Sequence, residues 1–199
     1  PEIVAAQGEM NAWMHKYGGV YARTEPDATI GVFYGHLQAV QRRVVTGENP
    51  GEDALQHGSH EGKVAEALFI CQAAGWPARV ITYQELLRGP LPANMKAILL
   101  VGLDQADASW SWGTGLDPTL QKFIDRGGRI LTDEESVCSL PSTKTGMKVA
   151  AYVAESNFDP TPLLFTRNAD NISKLCSAMH DVPPPLAVSE NQTVWAVPT

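Results

Sequence analysis

Cys138 follows three consecutive carboxylates, Asp133, Glu134 and Glu135, at the end of the run Arg129-Ile130-Leu131-Thr132. A nucleophilic cysteine at a strand end needs a tight bend with small neighbours, and helix amides or a cation that favour its thiolate. Here Val137 and Ser139 flank the thiol, no glycine stands beside it, and Pro141 follows. Carboxylates just upstream disfavour a thiolate. Cys138 is therefore a weak catalytic candidate, expected to be a loop or buried cysteine. The three carboxylates do not suit glycoside hydrolysis either, because two carboxyls must flank one bond while successive strand residues point to opposite faces. A solvated loop is the expectation for residues 133 to 135.

Two other groups could bind a ligand. His36 leaves the first apolar run, and His57, His60 and Glu61 stand in "HGSHEG" before a helical segment. If strand end and helix start meet, these side chains could surround a metal or a substrate hydroxyl. Their spacing matches no closed zinc pattern, and a glutamate in a first helical turn is already accounted for by the macrodipole. Asp104 and Asp107 follow the run "AILLVGL", and Trp110 and Trp112 come next in a loop longer than a simple connection requires. Two large rings at alternate positions share a face if the chain is extended, which suits stacking on a sugar or anchoring a protein interface.

The elements that must position these groups are legible from periodicity. The opening segment places Ile3, Ala6, Met10, Trp13, Met14 and Tyr17 on one helical face and ends at Gly18-Gly19. It is expected to be a connector helix over residues 1–26, with the main domain over 27–199. "ATIGVFYG", "ARVITY", "KAILLVGL", "RILTDE", "KVAAYVAE" and "TVWAV" read as strands. Between them, Ser59 is placed to cap a helix carrying Val64, Ala67, Leu68, Cys71 and Ala74 on its apolar face. "QELLRG" reads as a turn or two of helix. Asp117 is expected as N-cap with Pro118 at the first helical position. A last helix, "DNISKLCSAMH", carries Ile172, Leu175, Cys176 and Met179 on one side. Strands and helices alternating in this way imply right-handed crossovers and a doubly wound, mostly parallel α/β sheet with helices on both faces.

At 199 residues and 44% hydrophobic content, the chain can bury a core of ordinary domain size. A net charge of −7 with no basic block leaves no field for a phosphate backbone, so nucleic acid is not an expected partner. No apolar run approaches the roughly 20 residues that cross a bilayer, and no membrane partner is expected. Cys71, Cys138 and Cys176 have neither metal-site nor disulfide-framework spacing. The first strand is followed by Gly35-His36-Leu37-Gln38, not a phosphate-cradling glycine loop, and neither a G-x-S-x-G elbow nor a zincin motif occurs. No cofactor and no metal site are expected, and the compartment stays open.

The pieces "TIGVFYG", "EALFICQAAGWPARVIT", "KAILLVGL" and "LQKFIDRGGRILTDE" resemble the class I glutamine amidotransferase-like, flavodoxin-type domain of modular glycoside hydrolases. It is best known as the trimerisation domain of family 42 β-galactosidases. The turns Ala74-Gly75-Trp76-Pro77-Ala78 and Arg126-Gly127-Gly128-Arg129-Ile130-Leu131 carry the likeness, which spans most of residues 1 to 154. The resemblance implies a non-catalytic accessory domain of a larger carbohydrate-active enzyme that contacts other domains of its own polypeptide or forms a homo-oligomer. Two other readings stay open: a cysteine-dependent amidotransferase or hydrolase using Cys138, and a sugar-binding module using His36, His60, Glu61 and Asp104.

Overall fold

Four short runs rich in aliphatic residues and one polar pair form a five-stranded, all-parallel sheet in a computed structural model, which describes residues 12, 28–35, 60–103, 116–150 and 161–182. The strands are β1 (Ile30–Tyr34), β2 (Ala78–Thr82), β3 (Ala97–Leu100), β4 (Arg129–Thr132) and β5 (Thr143–Lys144). Their order is β2-β1-β3-β4-β5. This is the flavodoxin-like order, which reverses direction between β1 and β3 and opens a crevice beyond the strands' carboxyl ends there. Ile30 lies opposite both Ala78 and Ala97, and Ala97 lies opposite Arg129, so the central strands start nearly level.

Alternation along each strand sorts the core into two layers. Ile30 and Val32 of β1, with Ala97 and Leu99 of β3, meet α1 (His60–Ala73) and α4 (Thr161–Ala178) through Val64, Ala67, Ile70, Cys71 and Leu175. Phe33, Ile98 and Leu100 face the other way, onto α2 (Tyr83–Arg88) and α3 (Asp117–Asp125) through Leu86, Leu120 and Phe123. The sheet is therefore doubly wound, with every residue of β3 buried.

Local chemistry sets the helix ends. The side chain of Thr82 accepts from the backbone N–H of Glu85 at 3.3 Å, and the Glu85 carboxylate accepts from the N–H of Thr82 at 2.9 Å, a reciprocal cap on α2. Burial pushes the Glu85 carboxyl upward, but hydrogen bonds from Arg79 and Thr82 outweigh it and hold the group below its ordinary value. After α1 and α3 the chain reverses on Gly75 (φ 92) and Gly127 (φ 91), whose N–H groups reach Gln72 and Ile124 carbonyls at 2.9 and 2.8 Å. Those left-handed conformations are why a glycine stands at each stop.

Several expectations are corrected. The helix N-cap position before α3 is Leu116, in helical geometry (φ −76, ψ −31) and without a side-chain cap, so Asp117 lies inside the helix. The fifth strand is the exposed pair Thr143–Lys144, too short and polar to show a period. Residues 148–150, expected to begin a strand, have no regular structure, although Val149 is buried. α4 begins at Thr161, well before the expected "DNISKLCSAMH", because Pro162 is tolerated in a first helical turn. Its buried line is Asn168, Asn171 and Leu175, continued by Met179 just past its end, which leaves Cys176 exposed. The proposed connector over 1–26, apart from the exposed helical Ala12, the helix-capping Ser59 and the strand "TVWAV" lie outside the described residues. Among the described residues no helix is long and apolar enough to cross a membrane.

Candidate functional site

The carboxyl ends of β1, β3 and β4 converge with the first turn of α1 on the crevice side of the sheet. β1 supplies Tyr34 and Gly35, and α1 supplies His60, Glu61 and Lys63. The N–H of Gly35 donates to Nε2 of His60 at 2.8 Å. That acceptor role fixes the proton of a neutral imidazole on Nδ1. The Tyr34 and His60 rings stack with centroids 5.5 Å apart, and the Tyr34 hydroxyl donates to Glu61 Oε1 at 3.3 Å. His60 is fully buried.

β3 ends in Val101-Gly102-Leu103, and Gly102 takes the left-handed φ of 59. The Lys63 side chain lies across it: a Cβ at position 102 would stand 2.5 Å from Lys63 Cδ. Lys63 is nearly buried, and its ammonium pairs with the carboxylate of Glu135, which is half exposed. From β4, Asp133 Oδ2 accepts the N–H of Gly102 at 3.0 Å and Oδ1 accepts the N–H of Ser136 at 2.8 Å. The Ser136 hydroxyl accepts the N–H of Leu103 at 3.0 Å, and the N–H of Val137 reaches the Leu103 carbonyl at the same distance. The loop after β4 is thereby stitched to the loop after β3, with Asp133 and Ser136 buried.

The expectation of a solvated loop at 133–135 is thus corrected in part. Asp133 is fully buried as an acceptor for two backbone donors, whereas Glu134 and Glu135 are exposed. Sequence reasoning also passed over Lys63. A lysine in a first helical turn, where the macrodipole favours an acid, was the available signal.

Cys138 is half-buried, six residues beyond β4 in irregular chain, and packs against the core layer of α2 and α3. His60 stands with α1, whose core layer lies on the other face. Of the expected binding residues, the structure brings His60 and Glu61 to the end of β1. His36, His57, Asp104, Asp107, Trp110 and Trp112 lie outside the described residues. Among the described residues no three His, Cys, Asp or Glu side chains are grouped to hold a metal ion. The buried Cys71 thiol is pushed up to about 12 by desolvation, which leaves it inert as a nucleophile.

No family model matches the chain, and no curated protein matches it. Among solved structures it is similar, at TM-score 0.33 and 11% identity, to a protein of Listeria monocytogenes described, as a suggestion, as a sugar-phosphate isomerase; 78% of this chain and 72% of that one are covered. A likeness of that degree carries no argument about function. What stands is the flavodoxin-like, doubly wound α/β fold itself.

Proposed function

We propose that this chain is a non-catalytic accessory and interaction domain of a larger carbohydrate-active enzyme, a glycoside hydrolase, docking on other domains of the same polypeptide or on further copies of itself. The observation that supports the reading is the filling of the crevice beside β3. Lys63 covers the backbone where a flavodoxin-like domain would receive a ligand, and Glu135 neutralises it. The nearby polar groups are engaged in holding strand ends together: His60 on Gly35, and Asp133 on Gly102 and Ser136. Reacting groups need an approachable position from which to meet substrate, which such bracing denies them.

The test is glycoside hydrolysis by the protein encoded in the full reading frame. His60→Gln, Glu61→Gln and Cys138→Ser are expected to leave kcat/KM within about threefold, since removing a true acid, base or nucleophile typically costs on the order of a hundredfold or more. A loss of that size in any of the three would refute the reading.

A further inference from the structure

We propose that the cavity between α2 and α3, on the sheet face away from α1, is a binding site for a small organic phosphate. The cavity has a volume of about 390 Å³, within the range of small-molecule sites. Arg88, Lys122 and Arg126 line it, and Leu87, Leu91 and Phe123 give it apolar surface. Among the described residues no carboxylate lines it. In a chain of net charge −7, that is a local reversal of sign.

The pairing pattern makes the reversal specific. Lys63, Arg79, Arg129, Lys148, Arg167 and Lys174 each meet a carboxylate. Among the described residues, five cations have no such partner: Lys96 and Lys144 stand singly elsewhere, whereas Arg88, Lys122 and Arg126 gather around this one cavity. Two acids of the same helices are turned elsewhere: Glu85 binds Arg79 at 2.6 Å, and Asp125 accepts from Gln121 at 2.8 Å. Arg126 is held in place by its own donors, to the carbonyls of Leu91 at 2.8 Å and Pro92 at 3.2 Å, with its guanidinium 5.1 Å from the Phe123 ring centre. A guanidinium pinned in this way loses little freedom when an anion arrives.

Three cations around one cavity match a dianion better than a single carboxylate, and guanidinium forks fit phosphate oxygens. Thr119 adds a hydroxyl to the lining. The apolar surface fits a ligand whose phosphate sits among the cations while a hydrophobic body rests on Leu87, the exposed apolar side chain of the lining. The site stands apart from the β1–β3 crevice and does not depend on the function proposed for that edge.

The probe is phenyl phosphate, titrated calorimetrically into the whole chain in a phosphate-free buffer. Saturable binding is expected, weakened at least about tenfold by Arg88→Gln and by Lys122→Gln, as loss of a charge-assisted contact implies. Lys144→Gln, an exposed cation on the sheet edge, is expected to bind as the parent does, and circular dichroism verifies that each variant is folded. The proposal is overturned by the absence of saturable binding, by equal weakening in Lys144→Gln, or by phenol binding as tightly as phenyl phosphate.

Discussion

Gly35, at the end of β1, donates its backbone N–H to the buried imidazole of His60, the first residue of α1, at 2.8 Å. The contact joins two segments separated in sequence by a stretch of 25 residues' difference in number. It gives His60 a structural task at the place where flavodoxin-like folds keep their ligands.

Replacing His60 by alanine removes that acceptor and the ring stacked on Tyr34. A buried N–H left without a partner costs about 1–3 kcal/mol, so His60→Ala is expected to lose at least that in urea unfolding. A variant as stable as the parent would show that the contact contributes nothing.

Gly102→Ala places a methyl where Lys63 lies and forces a left-handed φ on alanine. The backbone term alone costs about 1–2 kcal/mol. Lys63 must also swing outward, so its amine is expected to become readily acetylated in the variant and to stay protected in the parent. Mass spectrometry after brief acetic anhydride treatment reads the difference, and equal labelling would contradict the packing described.

Glu66 is a fully buried carboxylate between α1 and α4, met by Arg167 at 2.6 Å and by Asn168. Removing one partner of a buried charge is far more damaging than replacing both by apolar groups. Arg167→Ala is expected to destabilise by about 3 kcal/mol, discounted toward 2 because Arg167 is itself part-exposed, and Glu66→Met with Arg167→Met to recover most of that loss. Thermal melts of the single and double variants separate the two outcomes.

Arg129, at the start of β4, grips Asp181 beyond the end of α4, and its hydrogen bonds hold the Asp181 carboxyl down at about 2, against an ordinary 3.8. A carboxyl depressed in the folded state adds stability above its unfolded value and loses it as pH falls toward the folded one. Stability is therefore expected to decline between about pH 4 and pH 2, and Asp181→Asn to flatten that part of the profile. Urea midpoints across this window provide the measurement, and an unchanged slope in the variant would rule the link out.

The parallel sheet was legible because Ala97–Leu100 is apolar throughout and Gly127-Gly128 marks a helix stop beside an apolar strand. Thr143–Lys144 was not, because two exposed polar residues paired by backbone bonds alone leave no hydrophobic pattern. The bracing at the crevice was hidden for a related reason. Asp133 and Ser136 are buried by backbone donors from a loop some thirty residues earlier, a pairing that no local spacing encodes. Cys176 falls on the exposed side of α4 because the buried line runs through Asn168 and Asn171, polar residues held inside by Glu66 and by Lys148's backbone. Sequence hydrophobicity points away from them.

His60, Asp133 and Ser136 brace the strand ends while Cys138 packs against the other core layer, and alkylation of Cys138 by iodoacetamide across pH, with and without His60→Gln, tests most directly whether the imidazole activates the thiol. Using a Cys71→Ala, Cys176→Ser background, the rate is expected to be unchanged by His60→Gln at every pH. Rapid alkylation already saturated below about pH 7, and abolished by His60→Gln, would contradict it.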